Sequence, residues 1–139
     1  MDWCEGFSFK GYIKENLYDT VKMEMLADEF LKMVRFLHKN KISHGDLQHG
    51  NIMVDSLGHI KLIDYDSLYF PIPYFSCRTE PLYGYPSYQH PCRSQNKYLS
   101  PKTDYFSELV IYIGIIALCQ EPALWNLLKI EKNDSSFLF

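Results

Sequence analysis

The side chains best able to do chemistry crowd into one part of this chain. They are His44-Gly45-Asp46-Leu47-Gln48-His49-Gly50-Asn51, followed a little later by Asp64-Tyr65-Asp66. Between them, Ile52-Met53-Val54 and Ile60-Lys61-Leu62-Ile63 flank Asp55-Ser56-Leu57-Gly58. Two β-rich runs around a turn that ends in glycine predict a hairpin. Pairing the strands about that turn sets Val54 opposite His59 and Ile52 near Lys61, so Asn51 and Asp64 leave the strands at the same open end. An amide oxygen and a carboxylate converging there suit a hard cation such as Mg²⁺, which takes oxygen ligands and keeps waters for phosphates. Asp46, in the loop just ahead of Asn51, is placed to accept a proton from a hydroxyl. His44, Asp46 and His49 also form an H-x-D-x-x-H array, but it lacks the further cluster that would complete a zinc site.

These residues need elements to hold them. From Thr20 to Lys39 the apolar residues Met23, Leu26, Ala27, Phe30, Val34 and Leu37 recur at helical spacing, with Asn40 as the expected stop. Residues 65 to 102 have poor periodicity and hold six of the seven prolines, which predicts a long irregular segment. Thr103 can cap a second helix from Asp104 to about Cys119. Its apolar residues cover nearly every face, so it should be buried all round. The end, Phe137-Leu138-Phe139, is apolar with nothing downstream to pack against.

Composition bounds the function classes. At 139 residues, 47% hydrophobic and 16% aromatic, the chain is too apolar to be disordered and should fold around one core. Fourteen basic residues against 17 acidic ones, a net charge of −3, argue against a nucleic-acid binder. The longest apolar run, Leu109 to Cys119, falls far short of the ~20 residues that span a bilayer, so no membrane span is expected. The start lacks a basic patch followed by an apolar stretch, so no secretory signal is read. Cys4, Cys77, Cys92 and Cys119 form no C-x-x-C pair and are expected to be free thiols of a cytoplasmic protein.

His44-x-Asp46-Leu47-x-x-x-Asn51 resembles the H-R-D-L-x-x-x-N catalytic loop of protein kinases, and Asp64 resembles the Asp of D-F-G. The resemblance implies an α+β, mainly helical fold: a kinase-like C-terminal lobe with a catalytic-loop β-hairpin. It implies that Asp46 orients or deprotonates the acceptor hydroxyl, and that Asn51 and Asp64 hold the Mg²⁺ that bridges the ATP phosphates. His44 would support the loop. Gly84-Tyr85-Pro86-Ser87-Tyr88-Gln89-His90-Pro91-Cys92 looks like the end of an activation segment. Asp104 lies where kinases keep an Asp that hydrogen-bonds the catalytic-loop backbone. Met1-Asp2-Trp3-Cys4-Glu5-Gly6 resembles the hinge, with backbone groups of Asp2 and Cys4 meeting adenine and Met53 on its other face.

The departures are specific. Gly45 replaces the loop Arg, and Gln48 replaces the Lys two residues after the base. Tyr85 replaces the Thr that would contact that Lys. Cys92 replaces the Glu of A-P-E, and Asp66 replaces the Gly of D-F-G. The pattern resembles divergent, microbial kinase-like proteins. There is no Gly-rich loop and no ATP-binding Lys, so residues 1–139 are expected to form a partial domain without its N-terminal lobe. Such a lobe, or a partner chain, would have to cover the ATP face, and the chain alone is expected to be inactive. The acceptor implied is a Ser, Thr or Tyr hydroxyl of a protein. Two readings stay open beside it. Small-molecule kinases of the aminoglycoside and choline type also carry H-G-D followed by Asn and then I-D-[FY]. A non-catalytic, pseudokinase-like module or truncated product is the other.

Overall fold

A computed structural model describes residues 6–72, 84–92, 98–133 and 135–136. The fold is mixed, with helices packed on one small antiparallel sheet. Strand β1 (Phe7–Ser8) leads directly into helix α1 (Phe9–Asn16), because the Ser8 hydroxyl caps it by accepting from the Gly11 N–H at 3.2 Å. Asp19 caps α2 (Thr20–Asn40) in the same way, through the Lys22 N–H at 3.1 Å. The predicted helix spacing holds, since Met23, Leu26, Ala27, Phe30 and Leu37 are all buried.

The helix ends at the expected stop, Asn40. Lys41 takes the left-handed conformation at φ 56°, and the N–H groups of Lys41 and Ile42 donate to His38 O and Leu37 O. Those two bonds satisfy the last carbonyls of the helix. Asn40 serves the same end from inside, its Nδ2 donating to Phe36 O at 2.7 Å.

β2 (Ile52–Val54) and β3 (Ile60–Leu62) form the predicted hairpin, but in a register one residue away from the expected one. Val54 pairs with Ile60, Met53 with Lys61 and Ile52 with Leu62. The turn is the cause. Asp55 N–H donates to His59 O and Gly58 N–H to Asp55 O, so the loop is Ser56-Leu57-Gly58, with Gly58 at φ +88°. The Asp55 carboxylate holds it by accepting from the Leu57 and His59 N–H groups, both at 2.9 Å. These bonds hold the Asp55 carboxyl below the usual carboxylate range, the His59 N–H contributing most. β1 adds a third strand that the sequence reading did not include, pairing Phe7 with Val54 and Ser8 with Met53.

α3 (Tyr105–Gln120) packs antiparallel on α2: His38 meets Glu108 at one end, and Glu24 acts on Cys119 at the other. The expectation of burial all round is corrected here. Ile111, Ile115 and Leu118 enter the core, yet Leu109 is 54% exposed and Ile113 49%. An all-apolar helix buries only the faces for which partners exist, and the described elements cover one side of α3. Its outer face opens on a groove of about 260 Å³ lined by Tyr112, Ile113, Ile116, Ala117 and Gln120. A short helix α4 (Leu124–Leu127) sends Trp125 back into the core. Lys10 of α1 then ties down the following stretch by donating to the carbonyls of Ile130, Asn133 and Ser136.

The start of α3 is built differently from expectation. Thr103 does not cap the helix; its hydroxyl accepts from the Ser100 N–H at 2.8 Å. Asp104 takes the cap position, and its carboxylate turns away from the helix toward residues 44 and 45. It accepts from the His44 N–H and, at 3.0 Å, from the Gly45 N–H, although Asp104 is only 2% exposed. Cys92 and Cys119 are free thiols. No helix among the described residues is long and apolar enough to cross a membrane. Asp2, Cys4, Cys77 and Phe137-Leu138-Phe139 lie outside the described residues.

Two predictions follow from this packing. Asp104→Ala leaves two buried N–H groups without their acceptor, at about 1–3 kcal/mol each, so urea unfolding should lose ~2 kcal/mol or more. An unchanged midpoint would refute the anchoring role. Burial pushes the Glu108 carboxyl above its ordinary value of 4.5, and Asp104 adds to the rise while His38 opposes it. The folded chain therefore keeps this proton longer than the unfolded chain does. The associated stability is full below pH 4.5 and is lost as pH rises through the elevated value. Glu108→Gln should remove that slope, gaining on the wild type in urea midpoint as pH rises from 4.5 to 7. Parallel pH profiles for the two proteins would contradict it.

Candidate active site

The loop from Ser43 to Asn51 is held from several directions before any reactive group is considered. Ser43 pairs through its backbone with Tyr69, and its hydroxyl donates to Ser100 O at 2.9 Å. His44 is fully buried, and its Nε2–H donates to Ile63 O at 2.9 Å, joining the loop to the end of β3. Leu47 is buried in the main core. With the Asp104 carboxylate on residues 44 and 45, the backbone around Asp46 has little freedom left.

Gly45 explains one of the sequence departures physically. Its φ is +87°, and a Cβ built there would lie 2.1 Å from Ser67 O. No side chain fits, so the arginine of the family pattern is excluded at this position by the neighbouring backbone. Asp66 lies with Tyr65 and Ser67 in a 3-10 turn that carries this Ser67 carbonyl.

Asp46 and Asn51 are brought into direct contact. Asn51 is 6% exposed, and its Nδ2 donates to Asp46 O at 2.8 Å and to Asp46 Oδ2 at 3.2 Å. Gln48 Nε2 approaches the same oxygen at 3.5 Å. The donor half of the Asn51 amide is thus committed to Asp46, and its Oδ1 is the atom suited to a hard cation. Asp64 follows Ile63, whose N–H donates to Asn51 O at 3.0 Å, so Asn51 and Asp64 do stand at one end of the hairpin despite the shifted register. Asp64 is solvent-exposed and left-handed at φ 64°, a conformation that Asp tolerates better than most residues. Met53 is half-buried on β2, between Ser8 and Lys61.

The other oxygen of Asp46 faces Gly84. A Cβ at Gly84, whose φ is +43°, would fall 2.2 Å from Asp46 Oδ1. Only the missing side chain lets the Gly84 backbone pack this closely against the carboxylate. Residues 84–88 therefore form a wall of the site, and Tyr88 anchors them. Its carbonyl accepts from Ser107 Oγ at 2.7 Å, and its hydroxyl and His49 Nδ1 lie 2.6 Å apart. The sequence reading missed His49 and Tyr88 as partners. They are 39 residues apart, and no local pattern links them.

Comparison with known proteins agrees with this geometry. The protein kinase domain family matches residues 1–135. A probable serine/threonine-protein kinase mkcB of Dictyostelium discoideum is 31% identical over 109 residues, which cover 77% of this chain and 15% of that protein. The serine/threonine-protein kinase PAK 1 of Mus musculus is 28% identical over 118 residues, 85% of this chain and 21% of that protein. The chain thus spans about a fifth or less of the length of these relatives. With the family match running over nearly its whole length, the chain belongs to the protein kinase domain family.

Proposed function

We propose that this chain carries the catalytic lobe of a phosphotransferase that moves a phosphoryl group from ATP to a Ser, Thr or Tyr hydroxyl of a protein. The observation that carries the reading is the braced carboxylate of Asp46. Asn51 holds one oxygen at 3.2 Å, and the Gly84 backbone packs against the other. Asp46 Oδ1 is the atom that receives or orients the acceptor hydroxyl's proton. Asn51 Oδ1 and the Asp64 carboxylate are the ligands for Mg²⁺, and the donor set fits an ion that prefers one or two protein oxygens and otherwise water and phosphate. Bound there, the metal would neutralise charge on the ATP phosphates. Met53, with the backbone of Asp2 and Cys4, would contact adenine. The relatives are named as serine/threonine kinases, which supports a protein hydroxyl as the acceptor over a small molecule.

The 139 residues contain no Gly-rich phosphate loop and no V-A-x-K-like strand, so the chain by itself should hold Mg-ATP weakly and show no measurable turnover. Isothermal titration and a radiolabel assay check this. Micromolar affinity with Asp46-dependent turnover by the isolated chain would contradict it. Joined to a lobe that clamps nucleotide, the wild type should transfer phosphate, and Asp46→Asn should cost ~10²–10⁴-fold in rate with nucleotide binding nearly intact. Equal turnover in that variant would remove Asp46 from the chemistry. The metal assignment has its own measurement, ATP titration with and without Mg²⁺. Asp64→Asn should abolish the gain in affinity that Mg²⁺ confers, and an undiminished gain would refute the ligand role.

A further inference from the structure

Tyr88 is 1% exposed, and a phenol buried this deeply needs a partner for its hydroxyl. It has one in His49 Nδ1 at 2.6 Å. His49 in turn lies between two tyrosines, its ring stacked on Tyr85 at 6.4 Å and 20° and tilted against Tyr88 at 5.7 Å. The two ends of this link lead to the same carboxylate. His49 opens the 3-10 turn whose last residue is Asn51, which braces Asp46 from the loop side. Tyr88 closes the 3-10 turn Pro86–Tyr88, just after Gly84, which faces Asp46 Oδ1. Gln48, the neighbour of His49, turns to Asp46 itself.

We propose that the hydrogen bond between His49 and Tyr88 pins the Gly84–Tyr88 segment to the loop that carries Asp46, which makes His49 a positioning residue for the acceptor side of the site. This rests on the reading of Asp46 as the group that meets the acceptor hydroxyl. The Ser107 hydroxyl fixes the Tyr88 backbone to α3, and the imidazole couples the Tyr88 side chain to the loop. The distance between Gly84 and Asp46 Oδ1, and with it the room for an acceptor, then depends on a contact outside the reacting groups.

Hydrogen exchange in the full chain tests the pin without any phosphotransfer, so a failure of the proposed reaction leaves this result to be read by itself. The probes are the amides of Tyr88 and Gln89, which donate to Tyr85 O and Pro86 O inside the segment. Tyr88→Phe removes a single oxygen and keeps the buried ring. It should speed exchange of these amides by roughly three- to tenfold, the loss of one hydrogen bond, while amides of α2 stay protected. His49→Leu should do the same. His49→Asn, whose short amide reaches the place of Nδ1, should restore protection. Unchanged exchange in Tyr88→Phe would overturn the proposal, as would His49→Asn exchanging as fast as His49→Leu, because packing rather than the hydrogen bond would then hold the segment.

Discussion

A buried carboxylate holds the loop ahead of β2 and the second long helix in one arrangement. Asp104 stands at the start of α3, almost wholly out of water, where an unpaired charge would be costly. Its oxygens are occupied by the N–H groups of His44 and Gly45, which no regular element could satisfy. The charge needs the loop and the loop needs the charge. Since α3 is fixed against α2 through the core and through Glu108 and His38, the loop is referenced to the packed pair of long helices. Asp46 then directly follows an anchored backbone, and Asn51 needs only to reach across the loop to brace it.

A second constraint is how closely backbone approaches the loop. Gly45 admits the Ser67 carbonyl and Gly84 admits the Asp46 carboxylate, each at a separation that a methyl group would close. The first approach fits the loop against the turn after β3, the second brings the 84–88 segment against the Asp46 carboxylate. Both glycines also sit at positive φ, so their freedom is used twice, for space and for conformation. An arginine at position 45 is therefore excluded by the neighbouring Ser67 backbone. His49 and Tyr88 add a side-chain contact between the loop and the 84–88 segment.

Much of this was legible in the residues themselves. The spacing of Met23, Leu26, Ala27, Phe30 and Leu37 places a core-facing helix, because a period of 3.6 is a local property. The loop and the hairpin after it were legible for a similar reason: fixed offsets between Asp46, Asn51 and Asp64 survive in any structure where the two strands pair. That pairing also brings Asn51 and Asp64 to one end, whichever of two adjacent registers is taken.

What the chain pattern alone left open depends on long-range contacts or on the geometry of a few atoms. The register turned on whether Asp55 joins the turn or closes it, a choice made by four hydrogen bonds of its own side chain and backbone. The outer face of α3 is apolar in sequence whether or not anything covers it, so composition could not say that Leu109 and Ile113 face outward. The exclusion of a side chain at residue 45 requires Ser67, and the partner of His49 lies 39 residues away. The sequence by itself determined the two long helices, the hairpin and the identity of the oxygen-bearing groups, since those follow from neighbours along the chain, whereas the short helices α1 and α4 were not read from it. Only the tertiary structure decided which oxygen of Asp46 meets Asn51 and which meets Gly84, because that depends on segments distant along the chain meeting in space.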